Sequence, residues 1–219
     1  MIGILINGLS GKMGKNLLER SRLDSNIHLC KSIDEENLDI AIDFSIPEST
    51  IQLIESLKDK NIALIIGTTG FTEPQKILIK KASKNNKIML APNLSKGIAI
   101  LKKSILDFLK SNTDELVCLI KETHHSKKLD CPSGTAIELE RIIKISNTKN
   151  LISKIEILSE RVGSISGIHE VIFLNKLENI TFRHEALSRN IYSDGAIEAA
   201  YWLKDQKEGL YNFDDFLKS

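Results

Sequence analysis

Three closely spaced glycines set the first constraint on this chain. Gly8, Gly11 and Gly14 follow the apolar run Ile2–Ile6 directly, and Met13, Leu17 and Leu18 then recur at helical spacing. A strand that passes into a helix through such glycines makes a tight connection, because glycine lets the backbone turn and approach closely. The rhythm continues. Apolar runs lie at Ile27–Ile33, Ile40–Phe44, Ile62–Ile66 and Ile88–Ala91. Between them, Pro47-Glu48-Ser49 and Thr72-Glu73-Pro74 open helices, the first carrying Ile51, Leu53, Ile54 and Leu57 on its apolar side. Strand and helix in alternation predict a parallel sheet with helices on both faces.

The rhythm changes near Asn93. Ser95–Leu109 reads as one helix, with Ile98, Leu101, Ile105, Phe108 and Leu109 on its apolar face. Strand-like runs follow at Leu116–Ile120, Ile155–Leu158, Val171–Phe173 and Ile180–Phe182, interrupted by a helix over Thr135–Ile145. Grouped late strands predict a mixed or antiparallel sheet, and Ala196–Leu203 is helical again. The fold class expected is therefore α/β: a parallel-sheet domain over 1–94, with a C-terminal helix, 193–219, packing back on it, plus a smaller α+β domain over 95–192.

The 219 residues suffice for two small cores, and 42% hydrophobic with 27% charged residues is ordinary for a globular chain. A net charge of +1 carries no basic footprint, so no nucleic-acid partner is expected. No apolar run reaches the roughly 18 residues that span a membrane, and the N-terminus lacks the charged start of a signal peptide. Three cysteines, Cys30, Cys118 and Cys131, fit neither a disulfide framework nor a zinc motif. A cytoplasmic protein with no membrane partner is expected.

The loop Gly8-Leu9-Ser10-Gly11-Lys12-Met13 sits where a Rossmann-type sheet binds a dinucleotide: glycines admit the pyrophosphate, and the helix N-terminus offers amides and a positive dipole end. A plain strand-to-helix turn is the simpler alternative. Cofactor choice depends on the end of the second strand, where an acid would hold a ribose and a cation a 2′-phosphate. Lys31 and Asp34 compete there, so NADH and NADPH both stay open. Gly67-Thr68-Thr69-Gly70 and Ala91-Pro92-Asn93-Leu94-Ser95 also follow strands and are candidate cofactor loops, or simply turns.

The chemistry concentrates in Glu122–Ala136. His124 and His125 are adjacent, and two histidines without further ligands make no metal site, so no metal is expected. Histidine can deliver a proton near neutral pH. Lys128 adds a cation four residues on, and Asp130 is placed to cap or brace the turn. Ser133 reads as the N-cap of the next helix, whose first amides, at Gly134 and Thr135, suit a carboxylate. A donor, a cation and an anion-binding helix start suit reduction of a small carboxylated substrate; surface histidines beside an ordinary capped helix are the alternative. His28, His169 and His184 read as packing or hydrogen-bonding residues, Arg183 and Arg189 as pocket or surface residues, and Tyr201 and Trp202 as core.

With these residues in view, the chain resembles the 4-hydroxy-tetrahydrodipicolinate reductases, long called dihydrodipicolinate reductases, of the diaminopimelate route to lysine. The resemblance runs through Gly8–Gly14, Ile42–Glu48, Gly67–Gly70, Ala91–Gly97, Glu122–Ala136 and Arg183–Arg189. It implies an NADH- or NADPH-dependent oxidoreductase with a Rossmann domain and a second domain that binds a dicarboxylate cyclic imine and builds a homotetramer through its sheet. It further implies His124 as proton donor and Lys128 as its partner. His125, Ser133, Gly134 and Thr135 become substrate contacts. Gly8 to Met13, Gly67 to Thr69, and Ala91 to Leu94 become cofactor contacts. The chain departs from the family pattern in the short Ile33–Ile40 connection, in Leu94 where phenylalanine is usual, and in Cys131 where alanine is common.

Overall fold

The computed structural model describes residues 1–218. In chain order its elements are β1 (Ile2–Asn7), α1 (Lys12–Ser21), β2 (Ile27–Cys30), β3 (Ile40–Asp43), α2 (Pro47–Ser56), β4 (Ala63–Ile66), α3 (Glu73–Ala82), β5 (Lys87–Leu90) and α4 (Lys96–Ser111). Then follow β6 (Leu116–His124), α5 (Gly134–Ser146), β7 (Ile152–Arg161), β8 (Ile168–Leu174), β9 (Asn179–Glu185), α6 (Asn190–Leu203), β10 (Gly209–Tyr211) and α7 (Phe213–Phe216). They form two compact units, one made of residues 1–95 and the segment from 189 onward, the other of residues 96–188.

The first unit is a six-stranded sheet in the order β10-β5-β4-β3-β1-β2, with every pairing parallel. A sheet covered on both faces needs strands that are apolar on both sides. Accordingly, every residue of β3 and β4 is buried. Helices α2 and α3 pack Leu53, Ile54 and Ile79 against Ala41, Leu64 and Ile66. The alternate side chains Ile40, Ile42 and Ile65 point the other way and are also fully buried; α6 contacts β3, β4 and β5 and packs along α1. The strand order reverses at β1, which lies between β2 and β3. Such a reversal opens a crevice outside the carboxyl ends of the strands, and the glycine loop leaves β1 at that point.

The end of the second strand and the C-terminal tail differ from expectation. The second strand ends at Cys30, not Ile33, because the Glu35 carboxylate accepts from the Lys31 and Ser32 amides at 2.6 and 3.2 Å and so turns the chain. The tail expected as a helix over 193–219 is helical only to Leu203. It then adds β10 beside β5 and ends in α7. Trp202 anchors this tail by packing edge-on to Tyr211, with centroids 5.3 Å apart, and the Tyr201 hydroxyl donates to Asp24 at 2.9 Å.

The second unit is a four-stranded mixed sheet in the order β7-β6-β8-β9. β6 and β7 run parallel, linked through α5; β8 is antiparallel to β6, and β9 is antiparallel to β8. Helices α4 and α5 bury Ile98, Leu101, Ile105, Leu139 and Ile143 against Cys118, Ile120, Val171 and Phe173. Phe108, Phe173 and Phe182 close this core in tilted and edge contacts of 5.0–6.1 Å. Among the described residues, no helix is long and apolar enough to cross a membrane.

Candidate active site

The inward face of β6 carries Leu116, Cys118, Ile120, Glu122 and His124, since alternate residues of a strand share a face. The first three belong to the core. The last two continue the same stripe past the apolar layer, so an acid and an imidazole are buried where the strand leaves the core. Glu122 is 1% exposed and His124 7%. Sheet register supplies their neighbours: His124 lies opposite Arg161 on β7, and Glu122 opposite His169 on β8.

Glu122 is the hub. Arg161 clamps it with two bonds, Nη2 to Oε1 at 2.8 Å and Nη1 to Oε2 at 3.0 Å. The Ser133 amide donates to Oε1 at 3.2 Å, and His124 Nδ1 contacts Oε2 closely. Burial pushes the Glu122 carboxyl up, but the Arg161 guanidinium and His124 outweigh it and hold the group at about 2. Burial pushes His124 below its ordinary value; Glu122 pulls the other way, while Lys128 and Arg161 add to the lowering.

Ser133 is the N-cap of α5, accepting from the Ala136 amide at 3.2 Å, as expected of a serine before a helix. Its hydroxyl also meets His169 Nε2 at 3.2 Å. The His169 ring stands edge-on to His124, centroids 5.0 Å apart, and burial keeps it neutral by pushing its pKa to about 3. Lys128 pairs with Asp130 at 2.7 Å. Burial pushes the Asp130 carboxyl up, but Lys128 and the Gly134 amide draw it below its ordinary value. Asp130 thus touches both Lys128 and the start of α5. His125, beyond the end of β6, is half-buried, and Cys131 is exposed.

Two participants, Arg161 and His169, are not marked as site residues by the sequence, and Glu122 opens the segment read as catalytic without a role assigned to it. Glu122 and Arg161 are 39 residues apart, and His169 reads from sequence as a packing residue beside a late strand; the pairing of β6 with β7 and β8 brings them together. Arg183, by contrast, forms exposed ion pairs with Glu170 and Glu185.

In the first unit, the glycine loop makes a cradle that side chains would fill. Gly8 has φ +91°, and a Cβ on Gly14 would stand 2.2 Å from the Gly8 carbonyl oxygen. Helix α1 has Gly11 as its N-cap, with no side-chain cap and no acid in its first turn, where Lys12 is exposed. Leu9 and Ser10 are exposed and Met13 half-buried. The loops after β4 and β5 are mixed. Gly67 lies against the Phe44 ring, and Thr69 and Pro92 are exposed. Thr68 spends its hydroxyl inside the protein, donating to Asp43 at 2.9 Å and accepting from the Ser45 amide at 2.9 Å. Ala91 and Leu94 are each 2% exposed, so their side chains belong to the core, and the Asn93 carboxamide accepts from the Ser95 amide at 2.9 Å. At the end of β2, Lys31 is exposed, and Asp34 turns away to pair with Lys60 at 2.9 Å. Glu35, absent from the sequence reading, holds the strand end instead, with His28 and Cys30 near its carboxylate.

The comparisons agree with this architecture. Residues 31–94 match the family description "Dihydrodipicolinate reductase, N-terminus", and residues 97–217 match "Dihydrodipicolinate reductase, C-terminus". The chain is 37% identical over 240 residues to 4-hydroxy-tetrahydrodipicolinate reductase of Rickettsia bellii, covering 100% of this chain and 96% of that one. It is 34% identical to the protein of the same name from Pelagibacter ubique, covering 99% and 98%. In fold it is similar to a dipicolinate-bound dihydrodipicolinate reductase from Paenisporosarcina sp. TG-14, with a TM-score of 0.75, 20% identity, and 97% of each chain covered. The chain belongs to the dihydrodipicolinate reductase family.

Proposed function

We propose that this protein reduces 4-hydroxy-tetrahydrodipicolinate to tetrahydrodipicolinate, with His124 as proton donor and Lys128 as the cation beside it. The reaction adds one hydride and one proton to the cyclic imine and releases one water. The observation that carries the reading is the buried imidazole of His124 beside the Lys128–Asp130 pair and the N-terminus of α5. A substrate carboxylate takes over the contacts that Asp130 makes with Lys128 and the Gly134 amide, joined by Thr135, Ser133 and His125. Its negative charge then sits at a helix start, where the dipole favours it.

The first unit fits a nicotinamide dinucleotide. The glycine cradle and the uncapped start of α1 suit a pyrophosphate, with Lys12 adding positive charge. When bound, the reduced nicotinamide supplies the hydride. The loops Gly67–Thr69 and Ala91–Leu94 flank it through backbone rather than through the side chains of Thr68 and Leu94. With Asp34 drawn to Lys60 and Glu35 at the end of β2, the site favours NADH, because a 2′-phosphate would meet the Glu35 carboxylate.

We assign the enzyme to the cytoplasm and to a homotetramer. The sheet face opposite α4 and α5 leaves Val117 36% and Leu158 51% exposed, which suits burial against further copies of the chain. Light scattering on the purified protein measures that assembly. One assay tests the function: freshly generated substrate with NADH and with NADPH in parallel. Turnover with a higher kcat/KM for NADH is expected, and His124→Ala is expected to lower kcat by on the order of 100-fold or more. Wild-type turnover in that variant would remove His124 from the role.

A further inference from the structure

Glu122 is fully committed. Its Oε1 accepts from Arg161 and the Ser133 amide, and its Oε2 accepts from Arg161 and faces His124 Nδ1. An ionised carboxylate is acceptor-only, so the hydrogen in the Glu122–His124 contact belongs to Nδ1. A neutral imidazole then has no hydrogen on Nε2. That nitrogen lies beside Gly167, where a Cβ would stand 3.0 Å away.

We propose that Glu122, clamped by Arg161, is the positioning residue that holds His124 as its Nδ1–H tautomer and reserves Nε2, beside Gly167, for proton delivery. The inference rests on His124 as the proton donor and names the device that directs it. The clamp reaches further than the pair. Arg161 also donates to the Glu160 carbonyl at 2.7 Å and to the Asp130 carbonyl at 2.5 Å. One guanidinium therefore ties the carboxylate that orients His124 to the loop that carries Lys128.

The charges around His124 make Glu122 necessary. Arg161 on β7 and Lys128 on the loop after β6 both oppose a second proton on the ring, and His169 on β8 is neutral. Asp130 is engaged with Lys128. Glu122 is the acid in direct contact with the ring, so it both fixes the tautomer and sustains the protonated form. His169 packs edge-on against His124, and its own Nε2 is occupied by the Ser133 hydroxyl.

The test combines nitrogen-15 NMR of His124 in the cofactor-free protein with the pH profile of kcat. The wild type is expected to show the Nδ1–H tautomer when neutral. Glu122→Gln is expected to mix the tautomers and lower kcat by on the order of 100-fold. It also moves the alkaline limb of the profile to lower pH, since a less basic donor loses its proton sooner. Glu122→Asp restores part of the Nδ1–H signal. Gly167→Ala leaves the tautomer intact but lowers kcat, because its methyl group crowds Nε2.

A wild-type spectrum dominated by Nε2–H would overturn the proposal, even if Glu122→Gln fails to fold. So would a folded Glu122→Gln protein with unchanged tautomer and pH limb. A fully active His124→Ala protein overturns the donor role itself, which separates the two failures.

Discussion

Asp43 in the first unit and Glu122 in the second are both buried acids near the carboxyl end of a strand, at 0% and 1% exposure, and they are satisfied in opposite ways. Asp43 accepts from Asn7 at 2.8 Å, Ser45 at 2.5 Å, Thr50 at 2.5 Å and Thr68 at 2.9 Å. Every one of these donors is neutral. Together they tie the ends of β1, β3 and β4 to α2, next to the glycine loop. Glu122 instead takes a guanidinium and an imidazole. Neutral donors fix geometry, whereas a titratable imidazole in the donor set keeps a proton equilibrium in play. One acid is a brace, and the other is part of a titrating array.

Arg161→Leu should separate the two most strongly. It leaves the Glu122 charge buried without its cation, a loss of about 3–5 kcal/mol of stability, measurable by denaturant unfolding. A loss smaller than that of Asp43→Asn would break the comparison. Acid should sharpen it. His169 is depressed from 6.5 to about 3, so below pH 6.5 the unfolded chain binds a proton that the native site refuses, and stability falls toward pH 3. Glu122 is depressed from 4.5 to about 2, so its stabilisation is complete above pH 4.5 and lost as pH falls toward 2. Each group contributes at most about 1.4 kcal/mol per pH unit. Unfolding curves across pH 7 to pH 3 read both, and Arg161→Leu should flatten the Glu122 part.

Asp43→Asn comes next, at about 1–3 kcal/mol, since one amide oxygen cannot replace both carboxylate oxygens for four donors. Its signature should be weaker dinucleotide binding, seen by calorimetry, with the pH profile of kcat unmoved. Ser133→Ala is the smallest, at about 1 kcal/mol for the lost cap on α5, read as a lowered melting temperature.

Legibility in the sequence followed burial. Strands β1, β3, β4 and β5 could be read because a sheet covered on both faces demands continuous apolar runs. Ser133 could be read because a capping serine acts within three residues. β6 was harder. Its apolar run stops at Ile120, while the strand continues to His124 with Glu122 and His124 still facing inward. Nothing local marks Glu122 as buried, because its burial depends on Arg161, one strand and a crossover helix away. Glu35 escaped for a similar reason: its carboxylate folds back on Lys31 and Ser32, while the more obvious Asp34 turns to Lys60. The three-residue β10 is too short to carry a pattern, and only its pairing with β5 makes it a strand.

The two units also differ in how they are written along the chain. The second is one continuous run, residues 96–188, whereas the first needs residues 1–95 and then the segment from 189 onward. During synthesis the second unit is therefore complete before the first has received α6 and β10. In that interval β5 is an unpaired edge, and β3 and β4 lack the helix that covers one face, a state open to aggregation. Helix α1, which follows the glycine loop, is translated before the whole second unit, yet it gains its partner helix α6 only after that unit is made.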